Sequence, residues 1–381
     1  MDGIEGACAD LRSVCIRMID AAPLSNAGAE RLTSRRFFGG PGRAIKKRNA
    51  QMKVVITGGA GFIGFRLAKR LIEIGELTAP DGTKTAIDEI LLFDVGEPVE
   101  PLVTEGVTVR AVAGDISDRA TVMGLFDRDD ISAFHLASVV SGGGEQDFDL
   151  AMRVNLEGGR HVFEALRARA GAGVPRLVIA SSIAVFGGDS MALVVGDTAK
   201  RCPQTTYGVT KAISELLVND YTRKGFLDGR SARLPTVIIR PGKPNAAASS
   251  FASAVFREPL NGEDYALPVP LDTPMPVLGY RAIVEGFIHL HEIDGAALGD
   301  DRAVSLPSHT VTAGDMMAAV QRVESNRALG KITVAPDPFI VDIVKTWPLD
   351  AEWDRAKSLG LPVDGGLDEI IGHYMEDYLD A

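Results

Sequence analysis

The stretch Lys53-Val-Val-Ile-Thr-Gly-Gly-Ala-Gly-Phe-Ile-Gly64 decides the fold. Residues 53–57 are a short β-branched run, as expected of a parallel strand buried on both faces. Gly58, Gly61 and Gly64 follow at GxxGxxG spacing. A helix-period pattern then runs from 62 to 74 and is stopped by Gly75. The first glycine permits a tight turn, the second lets the backbone approach a pyrophosphate, and the third lets the helix pack on the strand. The unpaired N–H groups and positive end of the helix face the phosphates, so Phe62 and Ile63 belong to the same cradle. A lone glycine pattern is weak evidence; its place between a first strand and a first helix gives it meaning.

Outward from that turn, strands and helices alternate. Strands are expected at 90–94, 107–112, 133–137, 176–181 and 236–240. Helices are expected from Ser117 to about 126, over 148–170 and over 206–224, with a polar loop at 76–86. Regular alternation predicts an α/β fold, a Rossmann-type doubly wound parallel sheet with helices on both faces. After Pro241 the alternation stops and Pro and Gly become frequent, which predicts a small irregular cap with helices near 281–293, 313–323 and 366–379 that return to the core. The expected division is a binding domain over 52–240 and a cap over 241–381.

Asp94 ends the second expected strand, where a carboxylate accepts hydrogen bonds from an adenosine ribose and repels a 2′-phosphate; NAD is therefore expected over NADP. It lies 36 residues beyond Gly58 rather than the usual ~20, and the polar loop accounts for most of the excess. Asp115 and Ile116, after the third strand, are placed to meet the adenine.

The 381 residues carry a formal charge of −11, with 46% hydrophobic and 24% charged residues. That composition excludes disorder over the whole chain and disfavours nucleic-acid and membrane-surface binding. Cys8, Cys15 and Cys202 are too few for a disulfide framework or a zinc cluster, so a reduced, cytoplasmic protein is expected. Residues 1–51 hold nine Lys/Arg against five Asp/Glu and no sustained period, and read as a disordered extension with Met52 as the natural beginning.

The chemistry is expected in Tyr207-Gly-Val-Thr-Lys211, where Tyr and Lys at i and i+4 share a helix face. A free phenol is a poor base at neutral pH, and a nearby ammonium favours its ionised form. Ser182 ends the fifth strand 25 residues upstream of Tyr207, in Ala-Ser-Ser-Ile-Ala-Val-Phe-Gly187. With these residues the chain resembles the short-chain dehydrogenase/reductase superfamily, in its extended epimerase/dehydratase branch. His135-Leu-Ala-Ser138, Asn155 in Arg-Val-Asn-Leu-Glu-Gly158, and Arg240-Pro-Gly-Lys243 fit the same likeness. The resemblance implies NAD as cofactor and a triad in which Tyr207 is acid/base, Ser182 binds the reacting oxygen, and Lys211 holds the ribose and tunes Tyr207. It places Leu136, Ala137, Asn155 and Pro241 along the cofactor, with Asn155 steadying the active-site helix.

After Ser182 stand Ile183 and Ala184, with no acid of the kind dehydratases use. Residues 135–142, 215–220, 240–245 and 249–253 are similar to the D-erythronate dehydrogenase-like branch. That likeness implies oxidation of a C2 hydroxyl of a small sugar acid, with a nucleotide-sugar epimerase as the alternative. Ser138 is expected to face the substrate and Lys243 its carboxylate, with Arg281 a weaker candidate. His289 and His291 do not face one another on a helix, so no metal site is expected. A homodimer or higher oligomer is implied by pairing of helices 148–170 and 206–224 across a two-fold.

Overall fold

The computed structural model describes residues 51–379, apart from 99, 103, 171–172, 244–247 and 325–327. The expected N-terminal extension lies outside the described residues except for Gln51, which opens the first strand.

β1 (Gln51–Thr57) is buried from Met52 onward and is the centre of an eight-stranded sheet. On one side it pairs in parallel with β2 (Lys84–Asp94), which pairs with β3 (Thr108–Ala113). On the other side it pairs with β4 (Ile131–His135), followed by β5 (Arg176–Ser182) and β6 (Asp228–Leu234). The order 3-2-1-4-5-6 reverses direction at β1, so a crevice opens beyond the carboxyl ends of β1 and β4, where ligands bind in sheets of this kind. α1 (Phe62–Ile74) and α2 (Arg119–Leu125) follow β1 and β3; α3 (148–167) and α4 (Thr206–Arg223) follow β4 and β5. Within α3, residues Met152–Gly158 are π-helical.

Two strands differ from expectation, each for a physical reason. β2 begins at Lys84 rather than 90, because its first residues pair antiparallel with Glu76–Thr78, a segment expected to be loop. The sixth strand of the sheet is Asp-Gly-Arg-Ser-Ala-Arg-Leu234, which its charges conceal. The apolar run after it, β7 (Thr236–Ile238), pairs instead with β8 (Pro274–Gly279) in a three-stranded cap sheet. The cap therefore takes its first strand from before 240. The chain then returns: α6 (Tyr280–Glu292) packs on the main sheet, and Ala303–Ser305 adds a last strand beside β6. A second core, holding Phe251, Phe256, Met316 and Tyr374, joins α5 (Phe251–Leu260) to the cap helices.

The concealed strand explains its own arginines. Arg233 and Glu215 are both fully buried, and Arg233 donates from Nε to Glu215 Oε1 at 2.8 Å and from Nη2 to Oε2 at 2.9 Å. Ser181 on β5 donates to the same carboxylate at 2.6 Å, and Arg201 donates at 3.1 Å. A fork-shaped donor with every oxygen satisfied is what makes a buried ion pair tolerable. Removing one partner strands the other. Glu215→Ala is expected to lower unfolding free energy by about 3–5 kcal/mol, read from urea denaturation, and a loss below about 1 kcal/mol would show that the pair is not a clamp.

Candidate active site

The glycine turn lies in the crevice. Gly58 has φ +73°, and a Cβ on it would sit 2.8 Å from Ala137 N and 2.9 Å from Leu136 C. Leu136 and Ala137 thus back the turn directly. α1 starts from Gly61 with no side-chain cap, and a Cβ on Gly61 would meet only Gly58 O, at 3.2 Å. The open side of that turn, with uncapped N–H groups behind it, fits a pyrophosphate. Asp94 Oδ2 accepts from Ala60 N at 3.2 Å, holding the end of β2 against the turn, where a ribose diol would be recognised. NAD is accordingly expected to be preferred over NADP. Asp94→Ser should narrow that preference at least roughly tenfold, since like charges in contact cost several kcal/mol. Equal kcat/KM for the two cofactors in the unaltered enzyme would remove the role given to Asp94.

Phe62 packs in an aromatic group, 5.2 Å from Tyr280 between ring centroids, and Ile63 packs on the main core. Asp115 is exposed and its carboxylate accepts from Ser117 N and Oγ, both at 2.8 Å, which holds its pKa down. Ile116 is buried where a Cβ on Gly158 would approach it, against α3. The structure thus makes Asp115 a turn-forming residue and Ile116 a packing one. Asn155 is different again: its amide accepts from Val139 N at 2.7 Å, donates to Val139 O at 3.0 Å, and reaches Thr210 Oγ1 at 3.3 Å. Thr210 in turn donates to Tyr207 O at 2.8 Å. Asn155 ties the loop after β4 to the helix of Tyr207.

α4 is fixed at its start. Thr205 accepts from Gly208 N at 3.0 Å, and Glu145 accepts from Thr206 N at 2.8 Å. Gly208 went unmarked in the sequence reading, yet a Cβ there would fall 2.2 Å from Ala184 O. Only glycine lets the helix come so close to the turn after β5, and that approach puts Tyr207 within hydrogen-bonding reach of Ser182. Lys211 is buried, donates to Ala180 O at 2.8 Å, and stands 5.4 Å from the centre of the Tyr207 ring.

Burial pushes the Tyr207 phenol up and the Ser182 hydrogen bond pulls it down. Burial also lowers Lys211 to about 8. The cation effect expected from Lys211 is therefore not what dominates Tyr207 in this state; desolvation does, acting on both partners. His135 is a neutral core residue, lowered to about 3 by burial and then by Lys211, with Nδ1 2.7 Å from Thr57 Oγ1.

A cavity of about 270 Å³ opens beside Ser182 and Tyr207. Arg240, Arg257 and Ser253 of the cap line it too, as do Leu234–Val237. Arg257 is 4% exposed, donates to Arg240 O at 3.0 Å, and is paired with Glu258. Arg240 has no ion pair among the described residues; burial and then the charge of Arg257 lower its pKa. A half-buried guanidinium lining a cavity, next to a second one, offers an anion a partner.

Three expected placements change here. Lys243 is exposed and does not line the cavity, whereas Arg240 does. Arg281 is held by Asp377 and Glu376. Ser138 turns its hydroxyl to Val139 O at 3.2 Å, while Val140 and Ser141 reach the cavity. Pro241, expected along the cofactor, is not among the residues that line this cavity. Among the described residues no cluster has the donors for a metal ion; His289 reaches Leu359 O at 2.9 Å and His291 reaches Ser132 Oγ at 3.0 Å.

Residues 54–292 match the family model described as the NAD dependent epimerase/dehydratase family. The chain belongs to this family. As a member it is an NAD-dependent oxidoreductase with a Rossmann-type fold. It is 46% identical over 326 residues to the D-erythronate dehydrogenase of Cupriavidus necator, covering 86% of this chain and 98% of that one. With the D-erythronate dehydrogenase of Haemophilus influenzae it shares 37% over 325 residues, 85% and 99% of the two chains. In structure it is similar to the nucleoside-diphosphate-sugar epimerase from Agrobacterium tumefaciens, with TM-score 0.80 and 37% identity, covering 90% of this chain and 99% of that one.

Proposed function

We propose that this enzyme oxidises the C2 hydroxyl of a small sugar acid, of the D-erythronate type, to the 2-oxo acid, with Ser182, Tyr207 and Lys211 as its working residues. The observation that carries the reading is one cavity lined by Tyr207, Ser182 and Arg240 together. A 2-hydroxy acid has a hydroxyl and a carboxylate on neighbouring carbons, and this lining offers each a partner. The names of the two dehydrogenase relatives support the same substrate class.

NAD, bound along the glycine turn, supplies the hydride acceptor. Ser182 hydrogen-bonds the C2 oxygen and Tyr207 Oη takes its proton as the C2 hydride leaves, so that a C–H and an O–H bond break and a carbonyl forms. Lys211, while protonated, favours the phenolate that must accept the proton. Arg240 fixes the carboxylate and so aims C2 at the cofactor.

Two protonations oppose one another. Tyr207 works as a base only when ionised, and burial pushes its pKa up, so NADH formation should rise with pH. Lys211 loses its charge as pH passes about 8, which removes the support for the phenolate and flattens the rise. Lys211→Met should move the rising limb to higher pH and weaken NAD binding. The decisive experiment is an NADH-formation screen over four- to six-carbon sugar acids from pH 7 to 10. Conversion of a nucleotide sugar with no NADH from any acid would replace this reading with an epimerase. The same reading pairs α3 and α4 across a two-fold, where Phe148, Val209 and Leu216 stand exposed; a monomer by light scattering would refute that pairing.

A further inference from the structure

The last wall of the cavity comes from far along the chain. Thr346, Trp347 and Pro348 line it, beyond the residues that match the family model. They lie on a strap fastened at both ends. Before it, Trp347 N donates to Val344 O at 3.0 Å and the indole packs on the cap core. After it, Asp350–Ala351 pairs in parallel with Val194–Val195, Glu352 N donates to Val195 O at 2.9 Å, and Thr310 donates to Asp350. Pro348 is buried, so the strap is seated rather than loose. The indole N–H has no acceptor among the described residues, although the ring borders a cavity holding Arg240 and Ser182.

Size gives the strap its meaning. The 270 Å³ beneath it lies under the ~300–1,000 Å³ of sites that enclose drug-sized ligands. That volume suits a four-carbon acid better than a nucleoside diphosphate sugar. We propose that Trp347 is a specificity-determining residue: its ring closes the cavity to the length of a short hydroxy acid, and its N–H is offered to a substrate oxygen. This rests on the sugar-acid reading and adds to it the element that sets chain length.

The test compares D-erythronate with D-gluconate, two carbons longer, as substrates of the unaltered enzyme, Trp347→Ala and Trp347→Phe. In Trp347→Ala the ratio of kcat/KM for gluconate to that for erythronate should rise at least roughly tenfold, the discrimination that small differences in a pocket wall supply. The KM for NAD should stay near its original value. Trp347→Phe keeps the wall and removes the donor, so the ratio should hold while both sugar-acid KM values rise. A ratio within twofold of the original in a Trp347→Ala sample that still binds NAD would overturn the proposal.

Binding separates this proposal from the oxidation reading. In a Tyr207→Phe, Trp353→Phe protein, Trp347 is the single fluorophore of its kind. With NAD present, erythronate should quench it saturably at lower concentration than gluconate does. Such quenching without turnover in the unaltered enzyme would sink the oxidation and keep the size selection. Turnover of erythronate with an unchanged ratio in Trp347→Ala would do the reverse. Absence of both turnover and quenching would sink both.

Discussion

Tyr207→Phe is expected to lose at least about 10²–10⁴-fold in kcat while binding NAD as before. The substitution removes one oxygen and keeps the ring that packs at the start of α4. That helix is held by Thr205, Glu145 and the Asn155–Thr210 link, none of which involves the phenol oxygen. The fold and the cofactor crevice should therefore persist, and the loss should fall on the proton transfer alone. NAD affinity measured by calorimetry on the same sample separates this from misfolding. Near-original NADH production by a folded Tyr207→Phe enzyme would show that Tyr207 and Lys211 are only neighbours on a helix face.

Arg240→Ala carries the second large effect, and it should fall on a different parameter. If Arg240 meets the substrate carboxylate inside the cavity, its truncation leaves that carboxylate desolvated and unpaired, a loss of about 2–5 kcal/mol. The KM for the acid should rise steeply and kcat/KM should fall roughly 30- to 5,000-fold, with the KM for NAD nearly unchanged. Arg240→Lys should recover part of this, because a point charge replaces a planar fork. Lys243→Ala, on the exposed surface, should change little. An unchanged substrate KM in Arg240→Ala would move the carboxylate site elsewhere and leave the two-arginine wall without a function.

The contrast between Lys243 and Arg240 shows what could be seen in the sequence. The glycine turn, the strand–helix alternation and the Ser–Tyr–Lys spacing are local signals, carried by residues close together in the chain, and the structure places each on the element expected of it. Arg240 was legible as part of a motif, but its direction depends on where the sixth strand ends. That boundary was concealed because Arg230 and Arg233 lie within the strand and are buried there by partners remote in sequence. Charges in a strand mimic a loop, and an apolar cap strand such as β7 mimics a core one. Gly208 was hidden for a related reason: its need is set by Ala184, in the turn after β5, and not by any neighbour along the helix. The strap at 346–348 has no local pattern at all; only tertiary contact brings it to the site.

The buried carboxylate of Glu215 has one more consequence, for the tempo of the molecule. Tyr207, Lys211 and Glu215 recur every four residues along one face of α4, and the last is locked to both β5 and β6. The helix cannot breathe locally without stranding a charge in the sheet. Its amide hydrogens from 210 to 218 should exchange with solvent only when the whole sheet opens, among the slowest in the protein. The strap, held by a two-residue pairing, should exchange orders of magnitude sooner. Heating would then inactivate the chemistry only as the protein melts.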